Sequence, residues 1–238
     1  MKLTGYNVAI TGGSGGIGSA LATGLLEDGA TVYNLDFVKP ADESSKFISV
    51  DLSDENSVQE AFKKIEKLDA IIVAAGVQLV GSDSKIGEVT LDTWQRTIDV
   101  NLTGAFLSVK HAMPLLVKSG HGSVVLIGSP TAVSMEGAGY SAYGASKAGM
   151  MGLSRIIAAD YKEDGVRSNV VVPGTMSTPL IKKIWDDPEK GPDLIRRTPL
   201  GRIGDPRELV GIVNWLVSTD SSFATGASYA VDGGMTAR

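Results

Sequence analysis

Residues 11–18 read Thr-Gly-Gly-Ser-Gly-Gly-Ile-Gly. Glycines in such a run let the backbone turn tightly and let a ligand approach it closely. Before the run, Val8 to Ile10 predicts a short apolar strand. After it, Ser19 to Asp28 predicts a helix, with Ala20, Leu21 and Leu25 on one side and Gly29 as its stop. Thr31 to Leu35 predicts a second strand that closes on Asp36. The unit is therefore strand, glycine loop, helix, strand. Gly13, Gly15 and Gly18 fit G-x-G-x-x-G, and an acid follows 18 residues after Gly18. A helix starting behind such a loop presents free N–H groups and a partial positive charge to an anion, and a pyrophosphate suits it. Asp36 is placed to accept hydrogen bonds from an adenosine ribose. A 2′-phosphate there would meet like charge, and Lys39 is the nearest cation. NAD is thus expected over NADP, the alternative being that Asp36 is a plain turn residue.

The rest of the chain repeats the alternation. Phe47 to Val50 predicts a third strand ending in Asp51-Leu52, and Ser53 to Lys67 a helix with Ser53 as N-cap. Asp69 to Ala74 predicts a strand entering Ala75-Gly76. Thr90 is expected to cap a helix from Leu91 to Lys118, with Asn101 in its middle and Pro114 near its end. An Asn at that point needs partners if buried, and a satisfied core residue and a functional one are equally open. Ser123 to Ile127, Arg167 to Val172 and Ala227 to Val231 predict three more strands. Tyr143 to Tyr161 and Pro206 to Ser218 predict helices, the second capped by Asp205 with proline in its first turn. Strand and helix in strict alternation mean a doubly wound parallel sheet with helices on both faces, an α/β Rossmann-like fold. The 238 residues suit a single domain, 1–238, with no repeat or linker to divide it. Thr175 to Asp205 is irregular and proline-rich, and is expected to be a mobile substrate lid at about 175–205 with Trp185 as its apolar anchor.

Composition narrows the function. A net charge of −5 opposes nucleic-acid binding. The absence of cysteine excludes disulfides, thiolate metal sites and cysteine nucleophiles, and favours a reducing, cytoplasmic setting. No apolar run approaches the ~20 residues that span a bilayer, and the N-terminus reads as a strand rather than a leader. His111 and His121 show no ligand spacing, so no metal is expected.

Tyr143 and Lys147, four residues apart, share one helix face. A cation beside a phenol favours the phenolate, which makes the pair a candidate acid–base unit near neutral pH. On many helices the same spacing is only a solvated face. Here it begins at the C-terminal end of a strand, where the glycine loop, Asp36, Asp51, Gly76, Ser129 and Pro173-Gly174 also lie, and where ligands bind in such sheets. Tyr140 could line the same pocket or pack at the helix entry. Glu136, Lys182-Lys183 and Arg196-Arg197 could meet a polar or anionic substrate, solvated charge being the default.

With these motifs in place, the chain resembles the short-chain dehydrogenase/reductase family along essentially its whole length. The resemblance rests on Thr11-Gly12-x-x-x-Gly16-x-Gly18, Asp51-Leu52, Asn101, Tyr143-x-x-x-Lys147, Pro173-Gly174-x-x-x-Thr178 and Asp232-Gly233-Gly234. It implies cofactor contacts from Gly12, Ser14, Gly16, Ile17, Gly18, Asp36, Asp51, Leu52, Ala75, Gly76, Tyr143, Lys147, Pro173, Gly174, Met176 and Thr178. It implies Tyr143 as the acid–base group, Lys147 holding its pKa down, Asn101 holding a relay water and a serine orienting the substrate oxygen. The family's serine position falls on Pro130, so Ser129 is assigned, with Thr131 as the fallback and Ser134 behind it. Val73-Ala74-Ala75-Gly76 departs from the family's usual Asn-Asn-Ala-Gly. The implied activity is NAD-dependent hydride transfer between nicotinamide and a secondary alcohol or ketone, in a homo-oligomer, a tetramer by resemblance. Two alternatives stand beside it: an NADPH-using 3-oxoacyl carrier-protein reductase, which Asp36 opposes, and a non-catalytic cofactor sensor, which the intact Tyr143, Lys147 and Asn101 oppose.

Overall fold

The computed structural model describes residues 3–134, 138–179, 181, 186, 188 and 190–237. Seven parallel strands form one sheet: β1 (Asn7–Thr11), β2 (Thr31–Asp36), β3 (Lys46–Ser49), β4 (Ala70–Val73), β5 (Ser123–Ile127), β6 (Arg167–Pro173) and β7 (Ser228–Val231). Their order is β3-β2-β1-β4-β5-β6-β7. The chain runs outward from β1 to β3, then returns to the other side of β1 with β4. Val8 pairs with both Val32 and Ala70, so β1 lies between the two halves. The crevice where the order reverses is where an open α/β sheet binds its ligand.

Helices cover both faces, and for this reason the central strands are continuous apolar runs rather than alternating ones. On one face α1 (Gly16–Glu27) and α7 (Val210–Val217) bury Leu21, Leu25, Val213 and Leu216 against Val8, Ile10, Ile72 and Val125. On the other, α2 (Glu55–Phe62), α3 (Leu91–Ile98), α4 (Gly104–Ser119) and α5 (Ser141–Asp160) cover Ala9, Ile71, Val124 and Leu126. A short helix, α6 (Lys190–Arg196), lies in the stretch expected to be irregular.

Four local details differ from the sequence expectation. Helix α1 begins at Gly16, so the last glycines of the loop belong to its first turn. Helix α2 is capped by Asp54, whose side chain accepts the Asn56 N–H, whereas the expected cap Ser53 donates its hydroxyl to Asp51 at 2.6 Å. The helix expected over 91–118 is interrupted by a π-helical turn, Asp99–Thr103, between α3 and α4. The helix expected from Pro206 starts as a 3-10 turn, Pro206–Leu209, although Asp205 does cap it in a full capping box with Glu208. Thr90 caps α3 as expected. Among the described residues, only Leu91–Ser119 is long and apolar enough to span a bilayer by length and composition. It is half buried and belongs to the core, since Ala105, Val109, Ala112 and Leu116 pack on the sheet.

Replacing an N-cap Asp by Ala costs about 1 kcal/mol. Asp54→Ala should therefore lower Tm by roughly 2–4 °C in a chain of this size, while Ser53→Ala, which removes no cap, should lower it less. Thermal unfolding of the two variants side by side checks which residue caps α2.

Candidate active site

A cleft of about 1550 Å³ opens along the C-terminal ends of β1, β2, β4, β5 and β6. Every residue expected at the site lines it except Asn101. Its floor is the glycine loop. Gly12 has φ +70°, and a Cβ there would stand 2.6 Å from the Ala75 Cα, so the β1 and β4 loops meet backbone to backbone. A Cβ on Gly18 would lie 2.0 Å from the Gly12 carbonyl oxygen. No side chain caps α1 and no acid occupies its first turn. The N–H groups and positive end of that helix are therefore left for an anion, which fits a pyrophosphate.

At one end of the cleft Asp36 accepts the Ser14 N–H (2.9 Å) and the Val38 N–H (3.0 Å), one on each carboxylate oxygen. Each oxygen keeps acceptor capacity, which suits a ribose diol. The Ser14 hydroxyl donates to the Val38 carbonyl (2.6 Å) and accepts from Asn34 (3.2 Å). Lys39 points to Glu43 at 2.6 Å. Farther along, Asp51 is held by the Ser53 N–H and hydroxyl, and those bonds keep its carboxyl below the usual range. Met176 forms a bridge with Gly204, and Thr178 packs against Gly16, so the β6 loop closes over the glycine loop.

The reactive group sits at the other end. Ser129 is almost fully buried, and its oxygen accepts the Thr131 N–H (3.3 Å) and the Thr131 hydroxyl (3.0 Å). Two donors on that oxygen leave the Ser129 proton free to donate toward the Tyr143 phenol. Burial pushes the Tyr143 phenol up, while the nearby Ser129 hydroxyl pulls it down. Ser129 and Thr131 both line the cleft, whereas Ser134 does not and bonds to the Pro130 carbonyl. Lys147 is 4% exposed, and desolvation lowers its pKa to about 8. Its ammonium donates to the Ile127 carbonyl at 2.8 Å and lies 5.8 Å from the Tyr143 ring centre. The ammonium is thus held by a backbone oxygen with the Tyr143 ring beside it.

Asn101 is wholly buried in the π-turn, behind the cleft. Its amide donates to the Val77 carbonyl (2.9 Å) and to Ser146 (3.1 Å), and its oxygen accepts the Val77 N–H (2.7 Å). The two sequence readings merge here: the side chain is a satisfied core residue, and it braces the loop after β4 against the tyrosine helix. Both its N–H groups are engaged, and its oxygen keeps capacity to accept one more bond. A Cβ on Gly76 would stand 3.3 Å from its Oδ1 and 3.4 Å from the Lys147 Nζ, which places those two groups side by side.

One residue absent from the sequence reading stands out. Asp83, buried in the loop after β4, accepts the Ala142 N–H (3.1 Å) and the Tyr143 N–H (2.9 Å) at the start of α5. The pairing spans about 60 positions, so no local motif marks it. Tyr140, Arg196 and Arg197 line the cleft. Both arginines pair with Asp193. His111 and His121 instead face Glu55 and Asp69. Glu136, Lys182, Lys183 and Trp185 lie outside the described residues.

Sheet, glycine cradle and buried polar groups meet in one cleft of a doubly wound α/β fold. The family profile described as enoyl-(acyl carrier protein) reductase matches residues 12–236. A cis-4-hydroxycyclohexanecarboxylate dehydrogenase from Sinomonas cyclohexanicum is 33% identical, over 96% of this chain and 95% of its own. The aldohexose dehydrogenase of Thermoplasma acidophilum superposes with a TM-score of 0.90 at 33% identity, over 99% and 96% of the two chains. A gluconate 5-dehydrogenase from Burkholderia cenocepacia J2315, solved with NADP and tartrate, does so at 0.92 and 27% identity, over 100% and 97%. The chain belongs to the short-chain dehydrogenase/reductase family and is an enzyme acting on CH–OH groups.

The lowered Lys147 pKa has a consequence for stability. Between pH 8 and 10.5 the unfolded lysine holds a proton that the folded one has released, so this group makes stability rise with pH across that window. Below pH 8 the folded state carries the full desolvation cost, on the order of 3 kcal/mol, less about 1 kcal/mol for the bond to Ile127. Lys147→Met should raise Tm at pH 7, and the gain should fade toward pH 10.5. Thermal melts of both proteins across that range check it.

Proposed function

We propose that the protein is an NAD-dependent dehydrogenase that oxidises a secondary alcohol carried by a sugar, a sugar acid or a ring hydroxy acid. The observation that carries this reading is the joining of Tyr143, Ser129 and Lys147 to the glycine cradle and Asp36 in one cleft. The cofactor's adenosine end is assigned to Asp36, Asp51 and Leu52, its pyrophosphate to residues 12–18, and its nicotinamide end to Pro173, Gly174, Met176 and Thr178. Bound NAD supplies the hydride acceptor. Tyr143 takes the hydroxyl proton of the alcohol as the C–H hydride leaves. Ser129 donates a hydrogen bond to the same oxygen and holds it in line. Lys147, freed from Ile127, supplies the positive charge that draws the phenol down, and Asn101 fixes the backbone around it. Residues 175–205 act as the substrate lid, with Asp193, Leu194 and Arg196 of α6 lining the cleft.

NAD over NADP rests on Asp36. Its carboxylate lines the cleft, the Ser14 hydroxyl is committed to Val38, and Lys39 is turned to Glu43. The substrate class rests on the relatives, whose names specify an aldohexose, gluconate and a hydroxycyclohexanecarboxylate. A homotetramer and a cytoplasmic location complete the reading, by resemblance to the family.

The test is a panel of aldohexoses, aldonates and cyclic hydroxy acids with NAD and with NADP, following reduced nicotinamide. NAD should be preferred; a clear preference for NADP overturns the reading of Asp36. Tyr143→Phe should keep NAD affinity and lose ~10²–10⁴-fold in turnover. Ser129→Ala should lose more than Thr131→Ala, and the reverse order would assign the orienting hydroxyl to Thr131.

A further inference from the structure

We infer that Asp83 is a positioning residue for the tyrosine, acting by capping the helix that carries it; the inference rests on the reading of Tyr143 above. Ahead of its first internal bond, α5 leaves the N–H groups of Ser141, Ala142 and Tyr143 to find partners outside the helix. Its own N-cap, Tyr140, provides no side-chain acceptor, only its carbonyl, which takes the Gly144 N–H at 2.9 Å. The other three are met by the loop after β4. The Ser84 carbonyl accepts the Ser141 N–H at 3.3 Å, and the two oxygens of Asp83 take Ala142 and Tyr143. A capping residue normally sits next to its helix. Here it is supplied from about 60 positions away, is only 7% exposed, and bonds directly to the backbone of the reactive residue.

The loop is itself rigid. It is gripped at Val77 by Asn101, and the Asp83 N–H is bonded to the Leu79 carbonyl at 2.8 Å. The Asp83 oxygen that takes Ala142 also takes the Ser84 N–H at 2.9 Å, which fixes the carboxylate's plane. The chain from Asn101 through Val77 and Asp83 to the Tyr143 N–H therefore sets where the phenol stands relative to the β1 and β4 loops. A carboxylate also matches the positive end of α5. The Asp83 carboxylate bonds to the N–H groups of Ser84, Ala142 and Tyr143, so its effect runs through the backbone of Tyr143.

The experiment compares Asp83→Ala and Asp83→Asn with Asp54→Ala, which removes an equivalent cap from α2. Amide hydrogen exchange at Ala142 and Tyr143 is read first and needs no substrate. Protection there should fall in Asp83→Ala and stay intact in Asp54→Ala. Turnover is then measured with NAD and each panel compound the wild type oxidises. Misplacement of a reacting group costs up to ~100-fold, so kcat should fall tenfold or more in Asp83→Ala, with KM for NAD within about twofold. Asp83→Asn, which keeps one acceptor, should fall between, and it carries the turnover test if the alanine variant does not fold. Unchanged exchange at Ala142 and Tyr143, unchanged kcat, or an equal loss of kcat in Asp54→Ala each overturns the inference. A wild type that oxidises no panel compound would fault the proposed function instead, and the exchange result would still decide the capping.

Discussion

The interaction on which the rest of the site depends is the buried amide of Asn101. It holds both backbone groups of Val77 and the hydroxyl of Ser146, so the loop after β4, the π-turn and the tyrosine helix converge on one side chain. A fully buried polar group is stable only when its bonds are made, and leaving one unmade costs about 1–3 kcal/mol. Each of the three elements is therefore constrained by the other two. The π-turn fits this role. One extra residue in the helix turns Asn101 inward, at the cost of regular helix bonding, and such bulges recur at functional sites.

From that junction two lines of support run outward. One passes along the β4 loop to Gly12, whose close approach to Ala75 locks the anion cradle to the same backbone that Asn101 holds. The other passes through Asp83 to the first turn of α5. The cradle and the tyrosine come from opposite ends of the cleft, and both refer back to the segment between β4 and α3. This segment carries little secondary structure, so its order comes from side-chain caps and backbone turns. That is why a loop can set the relation between a phosphate site and a proton-transfer site.

Much of this was legible in the sequence, and what was legible depended on range. The seven strands, the glycine cradle, Asp36 and the Tyr143–Lys147 face are local patterns, set by periodicities and by residues a few positions apart. The π-turn and the capping by Asp83 were not, because each depends on a partner or a backbone path that no short window contains. The Ser53 cap failed for a local reason instead. Ser53 and Asp54 are both good caps, and Asp51 captures the serine hydroxyl, which leaves Asp54 to cap the helix.

Lys147 shows what such a site costs the fold. Its ammonium is buried where desolvation lowers its pKa, and among the described residues one backbone oxygen, that of Ile127, compensates it closely. A core optimised for stability would place an apolar side chain there, since a buried charge without a counter-ion is among the least favourable things a core can hold. Among the described residues the Lys147 ammonium is bonded to the Ile127 oxygen and the Met150 sulfur and to no carboxylate. A firm salt bridge would fix the charge away from the phenol. A single carbonyl, by contrast, can be exchanged for another oxygen in the cleft. The weak compensation of Lys147 and the strong compensation of Asn101 are thus complementary, one keeping a charge available and the other keeping the frame around it still.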